Sequence, residues 1–268
     1  MTTRIHHLAI SPELVFLFFA VRTLALDIGN TAIKYGCFRD DVLEETAAGL
    51  TATQLRERLP QLHADAAIVS SVAAEPAAGW VRELQPYVAG KVVEFVPATT
   101  PLPIQNAYAT PHTLGADRLA AAVGAAWLLP GRTLAVLDAG TAIKCDLVEG
   151  GHTFRGGSIA PGLAMRFRAL HAFTGRLPLL HAPPEPTEAV PLTGTDTESA
   201  IRSGVLNGAA AEVQGLLDAY RRQFPQLAVV LAGGDAGFFR ARLKGPIFVV
   251  PELVLIGLHR ILVHHVST

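Results

Sequence analysis

Two similar stretches decide the fold of this chain of 268 residues. The first is LALDIGNTAIK at residues 24–34, and the second is VLDAGTAIK at residues 136–144. In each, an apolar run leads into Asp-x-Gly-(x)-Thr and then into a second apolar run, which is the pattern of two strands joined by a tight turn. The aspartates, Asp27 and Asp138, head two halves of similar size. The repeat therefore predicts a duplicated α/β domain in which each copy begins with a β-hairpin.

Apolar periodicity fills in the rest of both halves. The predicted strands beyond the first strand of each hairpin are 32–39, 66–72, 92–96, 142–149, 227–232 and 247–250. The predicted helices are 52–62, 77–88, 114–129, 197–224 and 251–263. The helix at 114–129 is rich in alanine and is expected to bridge the halves. We expect an extension at residues 1–22, a first domain with the bridging helix at 23–130, and a second domain at 131–268.

Composition and charge exclude several classes of function. Lys and Arg (22) nearly balance Asp and Glu (23), so the chain has no overall basic field for nucleic-acid phosphates, and no nucleic-acid partner is expected. Hydrophobic residues make up 50%, which excludes a disordered chain and predicts some apolar surface in a subunit interface. Cys37 and Cys145 are too few for a disulfide scaffold, and the histidines lack zinc-ligand spacing. The composition favours a reducing compartment, the cytoplasm.

The first 22 residues are interpreted as an extension outside the fold. Their longest apolar run, residues 14–21, is far shorter than the ~20 residues that a membrane-spanning helix needs, so no membrane association is expected. Pro12 and Glu13 adjoin the run, and no Ala-x-Ala-like cleavage site follows it. A signal peptide is therefore the less favoured alternative.

The turn of the first hairpin suits phosphate binding. Its glycine lets backbone N–H groups approach phosphate oxygens, and the hydroxyl of Thr31 adds a donor. The carboxylate of Asp27 is a hard oxygen ligand suited to Mg²⁺, and Lys34 adds a positive charge. The alternative is a hairpin whose aspartate only caps a turn; the duplication favours phosphate binding.

Two glycine-rich segments of the second half extend this into a cleft between lobes. The segment FRGGSIAPGL, residues 154–163, adds glycines and backbone donors opposite the first turn. The segment LAGGD, residues 231–235, is a strand that runs into paired glycines before a helix. This pattern is typical of a nucleoside-binding turn, but it is also found in ordinary strand-to-helix connections.

A third group of residues lies at the start of the predicted bridging helix, in YATPHTLGADR at residues 108–118. Asp117 can accept the proton of a substrate hydroxyl while Arg118 holds an anionic end of the substrate. The alternative is an aspartate that is stabilised by the helix dipole and paired with Arg118.

Four motifs together resemble the type III pantothenate kinases, the Bvg-accessory-factor family. They are residues 27–34, 115–118, 138–142 and 156–162, and the resemblance extends from about Thr23 to the carboxyl end. It implies two ribonuclease-H-like domains of the acetate/sugar kinase, Hsc70 and actin architecture around an ATP cleft. It also implies ATP-dependent phosphorylation of pantothenate, the first committed step of coenzyme A synthesis. The expected enzyme is a homodimer that needs a divalent metal such as Mg²⁺ and a monovalent cation, K⁺ or NH₄⁺.

The resemblance also implies roles for single residues. The ATP-binding residues would be Asp27, Ile28, Gly29, Asn30, Thr31, Ala32, Ile33, Lys34 and Thr141. The pantothenate-binding residues would be Tyr108, Gly115, Ala116, Asp117, Arg118 and Thr197, of which Thr197 can come from the partner subunit. Asp117 would be the general base, which suits an aspartate because this side chain is ordinarily ionised at neutral pH. Asp138 would ligate the monovalent cation, and Asp27 is the candidate for Mg²⁺.

Two features depart from the family pattern. The residues before Thr23 are extra, and Lys144 stands where members more often carry a small hydroxylated residue. A cation so close to Asp138 would either substitute for the monovalent ion or compete with it.

Two other functions stay open. One is a non-catalytic nucleotide-binding regulator of the same family, against which the presence of Asp27, Asp117, Arg118 and Asp138 argues. The other is a kinase of the same architecture that phosphorylates another small hydroxylated acid.

Overall fold

The structure is a computed structural model that describes residues 21–73, 77–183 and 185–267. The strands in these residues are β1 (Arg22–Ile28), β2 (Ile33–Arg39), β3 (Val42–Leu50), β4 (Ala66–Ser71), β5 (Val92–Glu94), β6 (Gln105–Asn106), β7 (Leu134–Ala139), β8 (Ala142–Glu149), β9 (Thr153–Pro161), β10 (Ala228–Ala232) and β11 (Ile247–Val249). The α-helices are α1 (Ala52–Arg58), α2 (Ala77–Leu84), α3 (Ala116–Leu128), α4 (Leu163–Ala172), α5 (Thr197–Arg202), α6 (Gly208–Gln223), α7 (Ala236–Arg242) and α8 (Leu253–Ser267). Short 3₁₀ turns occur at Leu59–Gln61, Gln85–Tyr87 and Pro111–Thr113, and a π turn at Ser203–Asn207 joins α5 to α6.

The strands form two sheets with the same plan. The first has the order β3-β2-β1-β4-β5, and the second has the order β11-β10-β7-β8-β9-β6. Each sheet has three neighbouring antiparallel strands, β3-β2-β1 in the first and β9-β8-β7 in the second, and two further strands parallel to β1 or to β7. The second sheet also has the short strand β6, which is parallel to β9. Strand β1 therefore corresponds to β7, and β2 to β8. The predicted duplication, with a hairpin at the head of each half, is confirmed.

The antiparallel part of each sheet contains one strand that the sequence did not indicate, β3 in the first sheet and β9 in the second. Strand β3 lies at the edge of its sheet and buries only Leu50, so it lacks the alternation that marks a half-buried strand. Strand β9 contains Gly156, Gly157 and Pro161, which are residues typical of loops. The segment predicted to supply backbone donors opposite the first turn is thus mostly a strand paired with β8.

Most other elements are confirmed with shifted ends. The predicted helices at 52–62 and 77–88 each end in a 3₁₀ turn that contains a proline, Pro60 and Pro86. Proline lacks a backbone N–H and cannot continue an α-helix, which explains the earlier α-helical ends. Strand β1 begins at Arg22, a residue that the predicted extension includes. The rest of that extension, residues 1–20, lies outside the described residues.

Helices α3 and α8 pack between the two sheets, as the predicted bridging helix requires. One apolar core joins Ala25 and Ile68 of the first sheet to Val136 and Val230 of the second through these helices. Although α8 falls in the predicted second domain, it packs against β1, β2 and β4 of the first sheet. The division at residue 130 stays a prediction. No helix in the described ranges is long and apolar enough to cross a membrane.

Polar and aromatic contacts fix α8 to the first sheet. The ring of His259 hydrogen-bonds to the hydroxyl of Thr23 in β1 at 2.8 Å, and both residues are buried. The same ring stacks on Phe38 of β2 with the ring centroids 4.3 Å apart. The last helix of the chain is therefore an integral part of the first lobe.

Glycines let α3 and α8 touch backbone to backbone. A Cβ atom at Gly257 would lie 1.8 Å from the carbonyl oxygen of Ala120, and one at Gly124 would lie 2.5 Å from that of Leu253. Neither position has room for a methyl group unless the helices separate.

We expect Gly257→Ala to lower the free energy of unfolding by about 1–3 kcal/mol, because the methyl group forces the packed helices apart. Urea unfolding followed by circular dichroism measures the change. The matched control is Gly215→Ala on the exposed side of α6, where a Cβ has no neighbour within 4 Å. This control should gain up to about 1 kcal/mol from helix propensity. Equal effects of the two substitutions would contradict the close helix contact.

Candidate active site

The turns of the two repeated hairpins meet. Each is closed by a glycine: the N–H of Gly29 donates to the carbonyl of Ala32, and that of Gly140 donates to the carbonyl of Ala142, both at 3.1 Å. At their tips the hydroxyls of Thr31 and Thr141 are 3.3 Å apart. The structure thus brings together the predicted first phosphate loop and the threonine predicted to contact ATP.

Strand register gives both hairpins the same pair of charged residues. Asp27 lies opposite Lys34 in the β1–β2 pair, and Asp138 lies opposite Lys144 in the β7–β8 pair. Directly opposite residues share one face of a sheet, so each turn carries a carboxylate and an ammonium group on the same side.

Asp27 is buried, and its Oδ1 atom has no hydrogen-bond partner in the described residues. Burial raises the pKa of Asp27 from 3.8 to about 7, with further increases from the charges of Asp117 and Asp138. The charges of Lys34 and Lys144 oppose this rise in pKa. A hard carboxylate oxygen without a partner fits a divalent metal such as Mg²⁺, which prefers oxygen ligands.

Lys144 joins the carboxylates of two elements. Its Nζ atom is 2.6 Å from Oδ2 of Asp117 and 2.6 Å from Oδ2 of Asp138. The other oxygen of Asp117 accepts the backbone N–H of Arg118 at 2.9 Å. Burial alone would lower the pKa of Lys144, but the charges and hydrogen bonds of the two aspartates outweigh it and raise that pKa overall. The ammonium group therefore stays charged.

Arg118 forms a buried ion pair with Asp146 of β8. Its Nε donates to Asp146 Oδ2 at 3.0 Å, and its Nη2 donates to Oδ1 at 2.5 Å. The guanidinium carbon lies 5.4 Å from the ring centroid of Tyr108 and 6.0 Å from that of Phe154. The interpretation that pairs Arg118 with Asp117 is wrong, because Asp117 is paired with Lys144 instead.

Asp146 is a site residue that the sequence analysis missed. It follows Lys144 by two positions in β8, so both side chains lie on one face of the strand. The signal was the pair of charged residues at strand spacing in an otherwise apolar segment, AIKCDLV at 142–148.

Glycines of β9 make room for these side chains. Gly156 has a φ of +86°, and a Cβ there would lie 2.9 Å from the ring of Tyr108. A Cβ at Gly157 would lie 2.0 Å from the carbonyl oxygen of Cys145. These two glycines serve the packing of the Arg118 pocket.

The β10–α7 turn, for which the sequence left both a nucleoside-binding turn and an ordinary strand-to-helix connection open, lies against the second hairpin. Gly233 has a φ of +93°, and a Cβ there would lie 2.2 Å from the carbonyl oxygen of Ala139 and 2.6 Å from Asp138 Oδ1. The N–H of Asp235 donates to the carbonyl of Ala139 at 2.9 Å. Only glycine combines this backbone conformation with such a close approach.

The remaining predicted residues divide into two groups. Gly115 caps α3 and Ala116 begins it, next to Asp117. Thr197 begins α5 and is exposed. In the described part of the chain it shares no hydrogen bond or ion pair with Asp117, Lys144 or Asp138. Within the first loop, Ile28 and Ile33 are buried core residues. The loop members with exposed or partly exposed side chains are Asn30, Thr31, Ala32 and Lys34.

Solved structures share this architecture. A putative Baf family transcriptional activator from Campylobacter jejuni aligns with a TM-score of 0.61 at 19% identity, over 91% of this chain and 100% of its own. An activator of 2-hydroxyisocaproyl-CoA dehydratase from Clostridium difficile, solved with bound ADPNP, aligns with a TM-score of 0.53 at 16% identity, over 92% and 94%. The fold is two ribonuclease-H-like domains of the acetate/sugar kinase, Hsc70 and actin class.

Sequence comparison identifies the family. A family model described as type III pantothenate kinase matches residues 23–219. The protein of that name from Cytophaga hutchinsonii is 42% identical over 246 residues, 91% of this chain and 99% of its own. The one from Phocaeicola vulgatus is 38% identical over 89% and 97%. The chain belongs to the type III pantothenate kinase family, which confirms the resemblance of its four motifs.

Asp27 should make the metal-free protein less stable as the pH rises. Its folded pKa is about 7 against an ordinary 3.8, so the folded state holds this proton more tightly than the unfolded state does. The stability that this protonation adds is fully present below a pH of about 4 and is lost as the pH rises to about 7. The total loss in the free energy of unfolding is about 4 kcal/mol. We expect the stability of Asp27→Asn relative to the wild type to increase across this window in urea unfolding.

A second measurement separates this effect from other consequences of the substitution. Mg²⁺ at pH 8 should raise the melting temperature of the wild type and not that of Asp27→Asn, since a cation on the carboxylate relieves the cost of its burial. A stability difference that does not change with pH would contradict the burial of an ionisable Asp27.

Proposed function

We propose that this protein transfers the γ-phosphoryl group of ATP to the hydroxyl group of pantothenate, giving 4′-phosphopantothenate in the first step of coenzyme A synthesis. One observation carries the proposal: Asp117, at the first turn of α3, is bonded to Lys144 of the second repeated hairpin, which also bonds Asp138, and the turn of that hairpin meets the turn of the first through Thr31 and Thr141. A proton acceptor and a phosphate-binding loop pair are the two parts that phosphoryl transfer to an alcohol needs. Family membership supports pantothenate as the alcohol.

ATP is proposed to bind between the hairpin turns. Gly29, Asn30, Thr31 and Thr141 would face its phosphates, and the β10–α7 turn at Gly233 would face its nucleoside. A divalent metal held by Asp27 would offset the charge of the phosphates. The three carboxylates in this region would repel ATP without cations, so the charges of Lys34, Lys144 and the metal are all needed.

Asp117 is proposed as the general base. One of its oxygens is fixed by Lys144 at 2.6 Å, and the other by the N–H of Arg118 at 2.9 Å. These bonds hold the carboxylate in one orientation, and its side chain keeps 18% exposure through which a substrate hydroxyl can approach. Such a base only has to accept the proton as the hydroxyl attacks, so orientation is its main requirement.

Pantothenate is proposed to bind beside α3, near Tyr108, Gly115 and Ala116. Arg118 contributes by fixing the start of α3, because its Nε and Nη2 atoms both donate to Asp146 of β8.

A homodimer is also part of the proposal. Thr197 is exposed and has no hydrogen bond or ion pair with Asp117, Lys144 or Asp138 in the described residues, and we propose that it contacts substrate from a second subunit. The exposed apolar side chains of Ile159, Phe173 and Leu192 provide surface that an interface would bury. We place the enzyme in the cytoplasm, where ATP is available and the buried free thiols of Cys37 and Cys145 stay reduced.

Purified protein incubated with pantothenate and Mg-ATP should form 4′-phosphopantothenate, detected by mass spectrometry. Other small hydroxylated acids serve as acceptor controls. A folded protein that binds ATP but forms no product would favour the nucleotide-binding regulator. A protein that phosphorylates another acid in preference to pantothenate would show that pantothenate is not the acceptor.

Asp117→Asn should bind ATP and pantothenate but lose about 10²–10⁴-fold in kcat, because the amide cannot accept the proton. Calorimetry measures binding, and the product assay measures turnover. Asp218→Asn on α6 is the matched control and should keep wild-type kcat, because within the described ranges the side-chain partners of this aspartate, Gln214 and Arg221, belong to its own helix. A near-wild-type kcat for Asp117→Asn would remove the base assignment.

A further inference from the structure

The ammonium of Lys144 is enclosed between two carboxylates of the cleft. It lies 2.6 Å from an oxygen of Asp117 and 2.6 Å from an oxygen of Asp138, which are distances of charge-assisted hydrogen bonds. The three side chains are only 17–19% exposed. Each carboxylate therefore already has a cation in close contact.

The register of β7 and β8 fixes this contact. Lys144 is the cross-strand neighbour of Asp138, so the ammonium group reaches that carboxylate from the adjacent strand. Arg118 and Asp146 hold the start of α3 against the same strand and bring Asp117 to the other side of the ammonium group. The position of the charge is thus set by the backbone.

The two repeated hairpins differ at this point. Lys34 has the same register position relative to Asp27, yet Oδ1 of Asp27 has no hydrogen-bond partner among the described residues. The first hairpin thus leaves a buried carboxylate oxygen without a hydrogen-bond partner in the described residues. In the second hairpin, Lys144 bonds the equivalent carboxylate, that of Asp138.

We propose that the ammonium of Lys144 is the built-in monovalent cation of this site, so that phosphoryl transfer does not require added K⁺ or NH₄⁺. The inference rests on the proposed kinase function. A lysine ammonium carries the same single charge as K⁺ or NH₄⁺ and uses the same carboxylate oxygens. Because it is attached to the chain, it is present at the site at any salt concentration.

Lys144 disfavours a free monovalent cation at the carboxylate oxygen that it bonds. To bond Asp138 Oδ2, the ion would have to lie next to the charged Nζ atom, and like charges at such a distance repel. The monovalent-cation requirement implied by the resemblance therefore conflicts with the side chain that this chain carries at position 144.

The first test compares product formation in potassium, ammonium and choline buffers. The wild type should change by less than about twofold between them, since its cation is covalently attached. Lys144→Thr should lose at least about tenfold in choline and recover with K⁺ or NH₄⁺, because the carboxylates then need a free ion. Lys244→Thr, the same change at an exposed lysine, should respond as the wild type does. A wild type that needs K⁺, or a Lys144→Thr protein indifferent to it, would overturn the inference.

A second readout does not depend on turnover. K⁺ should raise the melting temperature of Lys144→Thr above its value in choline and leave that of the wild type unchanged. Lys144→Met repeats the measurement with a side chain of similar length and no charge, in case the threonine variant fails to fold. If the wild type forms no product in any buffer, the kinase proposal fails while the melting temperatures still decide the cation inference. An equal K⁺ response of wild type and variants would overturn it.

Discussion

Two consecutive ion pairs tie the start of helix α3 to strand β8, and the cleft depends on them. Asp117 bonds Lys144, and Arg118 bonds Asp146, so neighbours on the helix meet alternate residues of the strand. Breaking a buried pair by removing one partner typically costs about 3–5 kcal/mol, because the other charge is left unpaired. The pairs thus fix the helix in register with the sheet and hold the proposed base at the edge of the second turn.

The two hairpins show how a duplicated unit can acquire different roles. Both place an aspartate opposite a lysine. In the second hairpin the lysine bonds the carboxylate of Asp138, whereas in the first hairpin Oδ1 of Asp27 has no hydrogen-bond partner in the described residues. An unpartnered buried carboxylate destabilises the folded protein when ionised, so Asp27 either keeps its proton, as its raised pKa of about 7 indicates, or is stabilised by a bound cation. One pattern therefore provides one carboxylate paired with a fixed charge and one that we propose as a metal ligand.

Local sequence predicted the parts of the fold that local physics determines. The hairpins, the bridging helix and most element positions follow from apolar periodicity and turn residues. The strands β3 and β9 were missed because their local sequences lack the usual strand pattern. An edge strand and a glycine-containing strand form through pairing with neighbouring strands, which local sequence does not reveal. The same limit applies to the site: Asp27, Asp117 and Asp138 were found, but the partners of Lys144 and Arg118 depend on register between separate elements. The role of Thr197 depends on a second chain and stays a prediction.

The last helix has a consequence for how the chain is made. Because α8 covers β1 and β4 of the first sheet and bonds Thr23 through His259, the first lobe lacks part of its core until residues 253–267 have been synthesised. Domains usually fold in order as the chain emerges, but here the amino-terminal half must wait for the carboxyl-terminal segment. Such long-range closure slows folding, since distant segments have to meet before their contacts stabilise either one. Emergence of α8 from the ribosome is thus the step at which the core of the first lobe can be completed.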